Sequence, residues 1–221
     1  MKGINLLGQG GISRIVIDII KNNSKEYFIQ SIYDDSELKK NTFFCEILTL
    51  GTINEYMNSP LSAGTIYFNC LGNINAIKSR ISYANQLNNK DFQRINIFHP
   101  NSILSEECNI GVGNLICQGA IVSSNVSIGD ENLIWSNTVI EHDSIIGSLC
   151  YLSPSVTICG KVVLEDNVYV GPGAILTAGV KIGRNSIVGA GAVVLHDVPE
   201  NSVYVGNPAK FLKINNLWGG L

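Results

Sequence analysis

Only three histidines occur in the 221 residues, at positions 99, 142 and 196. His142 stands in Val139-Ile140-Glu141-His142-Asp143-Ser144, with an acid on each side. A neighbouring carboxylate holds one imidazole tautomer and raises its basicity, which suits a general base. Eighteen residues later comes Gly160, which has no side chain to cover its backbone N–H. If eighteen residues make one coil of a repeat, the imidazole and that amide stack on one face. A base beside an amide donor is the pairing that acyl transfer uses. One removes a proton from the nucleophile, and the other receives the developing oxyanion.

The repeat that would stack them is present. Counting in sixes from Phe98 through Leu104, Ile110 and Ile116 to Val188 and Val194, every position is Ile, Leu, Val or Phe. Two residues before each, from Ser102 to Ala192, stands only Ser, Cys, Asn, Ala, Val or Thr. A period of six fits no 3.6-residue helix. It reads as a short strand and a turn, with the large aliphatic inward and the small residue inward near the corner. Three such faces make one coil, and each coil needs neighbours to bury its ends. Glycines at the turns (Gly111, Gly129, Gly147, Gly171, Gly183, Gly189) are expected to supply positive φ. The array spans 94–199 and stops at Asp197-Val198-Pro199-Glu200.

The first 93 residues read differently. Ile4–Leu7 is a buried strand that runs into Gly8-Gln9-Gly10-Gly11-Ile12-Ser13, followed by a helix from Arg14 to about Asn22. A second strand over 27–33 ends on Asp34-Asp35. A third over 65–70 leads through Leu71-Gly72-Asn73 into a helix reaching about Leu87. Strand, glycine turn, helix and strand with acids at its end form a βαβ unit. The turn amides suit a phosphate, and the acids can accept from a ribose or base edge. The motif lacks the third glycine of G-x-G-x-x-G, because residue 13 is Ser.

Composition excludes several classes. Charged residues are 15% of the chain, against roughly 25% in an average domain, and the formal net charge is −3. Nucleic acid and anionic membrane are therefore not expected partners. No leader-like start and no membrane-length apolar run is seen, which points to the cytoplasm. The six cysteines form no CxxC pair and are expected as reduced thiols, Cys108 and Cys150 at inward slots. A zinc hydratase on this fold needs three histidines per metal. His142 and His196 lie three whole coils apart and no HxxxxH pair occurs, so no metal is expected.

Taken together, the Gly8–Gly11 turn, Asp34-Asp35, Gly72-Asn73, the Ile140–Asp143 motif and the Gly206-Asn207-Pro208-Ala209-Lys210 exit resemble the nucleotide-sugar N-acetyltransferases. These lie beside the sialic-acid O-acetyltransferases within the hexapeptide-repeat family. The resemblance implies a small Rossmann-like N-terminal domain (1–93) followed by a left-handed parallel β-helix (94–221), an α/β plus β-solenoid architecture. It implies a homotrimer that moves acetyl from acetyl-CoA to the amine of a nucleotide-linked 4-amino-4,6-dideoxy sugar. In that scheme His142 is the base, Asp143 orients it and the Gly160 amide faces the thioester oxygen. Gly10, Gly11, Ile12, Asp34, Asp35 and Gly72 meet the nucleotide sugar. Tyr151, Pro172, Ala190 and Lys210 meet acetyl-CoA, in a groove between adjacent β-helices. The sequence departs from the family at Ile12 and Tyr151, where histidines are frequent, and at Trp135, where Asn is common. Sugar O-acetylation is the alternative reaction, and a non-catalytic scaffold is the alternative class.

Overall fold

The computed structural model describes all residues except 60–63, 73–75, 89–91 and 217–221. Asn73 and the Trp218-Gly219-Gly220 tail thus lie outside the described residues. The chain divides into two compact units, Met1–Ile97 and Phe98–Leu221. The boundary falls a few residues beyond 93/94, because Gln93–Arg94 forms a strand of the first unit.

In the first unit, β1 (Lys2–Leu7), β2 (Tyr27–Tyr33), β3 (Phe43–Phe44), β4 (Ile47–Gly51), β5 (Ile66–Asn69) and β6 (Gln93–Arg94) form a sheet in the order β3-β4-β2-β1-β5-β6. All neighbours are parallel except the β3–β4 hairpin. Its two-residue turn places Cys45 and Glu46 at φ 49° and 68°, the conformation that matches the twist of paired strands. Helix α1 (Gly11–Asn23) buries Ile12, Val16, Ile19 and Ile20 at the spacing of one helical face. It begins three residues before the Arg14 start expected above, since the glycines themselves enter the first turn. Helix α2 (Ile53–Asn58) starts on a capping box, with Thr52 and Glu55 each accepting from the other's backbone N–H. Helix α3 (Ile77–Asn88) buries Ile77, Ile81, Ala84 and Leu87. Arg80 of α3 is buried too, and its guanidinium donates to the carbonyls of Asn69 and Leu71. It thereby fixes the loop that leaves β5.

The second unit is a parallel β-helix of two-residue strands on three faces. Face one carries Leu115–Ile116, Leu133–Ile134, Tyr151–Leu152, Tyr169–Val170 and Ile187–Val188; face two carries Ile121–Val122, Val139–Ile140, Thr157–Ile158, Ile175–Leu176 and Val193–Val194; face three carries Ser127–Ile128, Ile145–Ile146, Val163–Leu164 and Lys181–Ile182. Pairing is in register at eighteen residues, as in Val139↔Thr157 and Ile140↔Ile158. The second residue of each strand points inward, and Ile134, Ile140, Ile146, Leu152, Ile158 and Leu164 share one core. Phe98 departs from the expected inward row and is 36% exposed, because it stands in the first coil and no coil lies below it. An antiparallel hairpin, Ser202–Val205 with Lys210–Ile214, continues face one. All six cysteines are free, with Cys70, Cys117 and Cys150 buried and Cys108 only partly so.

The turn glycines do not supply the positive φ expected of them. That conformation falls two residues later, at Gly113, Glu131, Leu149, Gly173, Asn185 and Gly191. Gly111, Gly129, Gly147, Gly171, Gly183 and Gly189 are required for closeness instead. A Cβ on Gly171 would lie 2.5 Å from the Ala190 nitrogen one coil above, and one on Gly111 would lie 2.8 Å from the Gly129 carbonyl oxygen.

Candidate active site

His142 follows the face-two strand Val139–Ile140, on the corner leading to face three. Inward burial of Ile140 and Ser144 anchors the chain on both sides of the turn and leaves the imidazole outward, 56% exposed. Asp143 takes the left-handed conformation, φ 61°, and its Oδ2 lies 2.8 Å from His142 Nδ1. A carboxylate only accepts, so Nδ1 carries the proton and Nε2 keeps its lone pair. The hydrogen bond from His142, together with one from Asn125, holds the Asp143 carboxyl below the usual range.

Gly160 occupies the same corner one coil above. A Cβ there would lie 2.8 Å from both Cε1 and Nε2 of the imidazole, so the bare glycine makes the room in which the ring lies. Its amide is also uncapped. On the next corner, the N–H groups of Val112, Asp130 and Ser148 are each capped by the side-chain oxygen of the residue eighteen positions on. The residue eighteen after Gly160 is Ala178, which has no oxygen to offer. Among the described residues no acceptor is recorded for the Gly160 N–H. A ring nitrogen with a free lone pair beside a free amide is equipped for proton removal and oxyanion binding.

The remaining β-helix residues of the expected set lie elsewhere. Tyr151 is on face one, where its ring stacks on Tyr169 with centroids 5.0 Å apart and lies 5.8 Å from Trp135. Pro172 and Ala190 are exposed and stack on the corner between faces one and two. Lys210 opens the last strand and is exposed. One chain therefore carries two separate sets, with face two between them. No cluster of three His, Cys, Asp or Glu side chains that could hold a metal ion occurs among the described residues.

In the first unit, Gly8 has φ 104°, and the buried Ser13 hydroxyl donates to the Gly8 carbonyl. Ser13 thus closes the turn in which the third glycine is missing. Gly10 and Gly11 face open space where a Cβ would stand, so the first-turn amides, which have no helical acceptor, are uncrowded. Ile12 is buried in the core. Asp34 is only 8% exposed and fully engaged: Oδ2 accepts from the Gln9 N–H at 2.6 Å and Lys39 Nζ at 2.9 Å, and Oδ1 accepts from the Ser36 N–H at 3.0 Å. It braces the glycine turn. Asp35 is exposed and accepts from the Tyr83 hydroxyl at 2.9 Å. Gly72 is buried beside the loop that Arg80 holds.

Residues 125–160 and 161–196 match the family model of the bacterial transferase hexapeptide (six repeats). Both matched stretches lie within the β-helix unit. The chain is similar over 96% of its length to solved structures. PerB from Caulobacter crescentus, in complex with CoA and GDP-perosamine, is 24% identical with a TM-score of 0.85, over 96% of this chain and 98% of that one. WeeI from Acinetobacter baumannii is 26% identical with a TM-score of 0.80, over 96% and 100%. The acetyltransferase domain of PglB from Neisseria gonorrhoeae is 20% identical with a TM-score of 0.84, over 96% and 100%. Both the α/β unit and the solenoid thus belong to a known fold. No curated protein matches the sequence significantly. No helix among the described residues is long and apolar enough to cross a membrane.

Proposed function

We propose that this chain transfers acetyl from acetyl-CoA to the amine of a nucleotide-linked amino sugar, a 4-amino-4,6-dideoxy hexose. The observation that carries the reading is the corner pair. His142 has Nδ1 bound to Asp143 and Nε2 free, and its ring lies against the bare, uncapped Gly160. Similarity to PerB, solved with CoA and GDP-perosamine, and to the acetyltransferase domain of PglB, solved with acetyl coenzyme A, supports the substrate classes.

The amine nitrogen attacks the thioester carbonyl carbon while His142 Nε2 takes its proton. Asp143 stabilises the imidazolium that forms. The Gly160 N–H donates to the carbonyl oxygen as it gains negative charge, and the C–S bond then breaks. The proton returns from His142 to the leaving thiolate, so no residue is altered at the end of the cycle.

The nucleotide diphosphate meets the open amides of Gly10, Gly11 and Ile12, with Asp34 bracing their turn and Asp35 and Gly72 at its side. Ile12 contributes its backbone only, since its side chain is buried. Tyr151, Pro172, Ala190 and Lys210 hold the CoA portion. In one chain that set and His142 lie on different corners of the prism, which supports a homotrimer in which neighbouring copies supply them together. No metal takes part, and the compartment is the cytoplasm.

Thiol release from acetyl-CoA against UDP-, dTDP- and GDP-linked 4-amino-4,6-dideoxy sugars tests this. One active member, silenced about 10²- to 10⁴-fold in His142→Ala, is the expected result. Activity only toward hydroxyl acceptors, giving an alkali-labile product, would establish O-acetylation instead.

A further inference from the structure

Position 143 belongs to a vertical row on the corner between faces two and three. Asn125, Asp143 and Lys161 follow one another at eighteen-residue steps, with φ of 57°, 61° and 62°. Identical backbone conformation repeated at each coil brings the side chains of such a row into contact. A second row shows the same physics with neutral amides: Asn167 donates to Asn185 at 3.1 Å, and Asn185 donates to Asn201 at 3.0 Å. In the row beside His142 the acceptor is a carboxylate. Asn125 Nδ2 donates to Asp143 Oδ1 at 2.6 Å, while Oδ2 of the same carboxylate meets His142.

A carboxylate held at one oxygen turns about its own Cβ–Cγ bond. Held at both, it presents Oδ2 to the imidazole in one orientation. We propose that Asn125 is a positioning residue for the His142–Asp143 pair, fixing the carboxylate plane and moderating its pull on the ring. This rests on His142 acting as the base. Lys161 is the charged group facing Asp143 from the coil above, and Glu107 stands in the row below Asn125. Glu141, next to the histidine, is taken by the Ser123 hydroxyl at 3.2 Å.

The test is the His142 titration followed by NMR, together with kcat and KM, in Asn125→Ala and Asn125→Gly. With three histidines in the chain, the His142 resonance is the one missing from His142→Ala. Asn125→Ala frees the carboxylate, and Asn125→Gly frees it too while tolerating the left-handed turn. In both, the His142 titration moves to higher pH, and kcat falls on the order of tenfold, the scale of one charge-assisted hydrogen bond. KM stays within about twofold, as expected of a residue that acts through Asp143 alone. A titration that stays in place in the folded Asn125→Gly protein overturns the proposal, whatever happens to kcat. So does a moved titration with kcat unchanged. If His142→Ala keeps full activity, the base assignment itself has failed, and the titration still reads the Asn125 coupling separately.

Discussion

A methyl group built on Gly160 would lie 2.8 Å from Nε2 of His142, and the same distance from Cε1. The ring is the outer end of a half-exposed side chain, so it can swing away without disturbing the core. Gly160→Ala should therefore fold normally, with stability changed by less than about 1 kcal/mol. Its kcat should fall about 10²-fold, because both the ring and the access to the amide are displaced. Thermal unfolding and thiol release on the same sample separate the two effects.

The two glycines at the start of α1 invite an opposite comparison. Gly10 and Gly11 have no neighbour where a Cβ would stand, whereas a Cβ on Gly8 would lie 2.8 Å from Leu71 Cδ2 in a backbone at φ 104°. Gly8→Ala should lower stability by about 1–3 kcal/mol, visible in urea unfolding. Gly10→Ala should unfold like the parent yet raise KM for the nucleotide sugar, leaving KM for acetyl-CoA unchanged. Unchanged KM values for both would remove the phosphate from this turn.

How far the sequence carries depends on which physical cause shapes each residue. The inward row from Leu104 to Val194 is legible because one force, burial of a large aliphatic, acts at every sixth position. The stacking of Gly160 on His142 follows from the same period. Turn glycines mislead because two causes select glycine: positive φ at Gly113 and Gly173, and backbone crowding at Gly111 and Gly171. Spacing alone does not separate them. The β3–β4 hairpin turns on Cys45-Glu46, without the Asn-Gly or Asp-Gly signal of such turns. The Thr52–Glu55 capping box, by contrast, carries a readable T-x-x-E spacing. Asp34 looked free to meet a ligand, since no sequence feature announces that Gln9, Ser36 and Lys39 converge on it. Asn125 is eighteen residues before Asp143, but its role depends on a side-chain contact that spacing only permits.

The inward and outward residues of neighbouring strands give a direct test of register. Leu152 is fully buried, while Ile145 is 51% exposed on face three. Leu152→Ala should cost about 2–5 kcal/mol, from lost apolar burial and the cavity left behind. Ile145→Ala should stay within about 0.5 kcal/mol in an isolated chain. If Ile145→Ala instead destabilises in a concentration-dependent way, that face is covered by another copy.

Two buried thiols and a half-buried phenol weaken the fold at alkaline pH. Burial pushes the Cys117 and Cys150 thiols up to about 12. Desolvation first, and then its hydrogen bond to Asp35, push the Tyr83 hydroxyl to about 12. In the unfolded chain these groups ionise near roughly 8.5 for the thiols and 10 for the phenol. Above those values the unfolded state has given up protons that the folded state retains, so stability falls as pH rises. The contribution is whole below about pH 8.5 and is lost progressively up to about 12. Unfolding midpoints in urea should therefore drop between pH 8.5 and 11, and Cys117→Ala/Cys150→Ala should flatten that slope. Alkylation supplies a second readout at fixed pH. Partly exposed Cys45 and Cys159 should react in the native protein at pH 8, while Cys117 and Cys150 should react only after denaturation, because the thiolate is the nucleophile. Equal labelling of all four in the folded chain would place those two thiols outside the core.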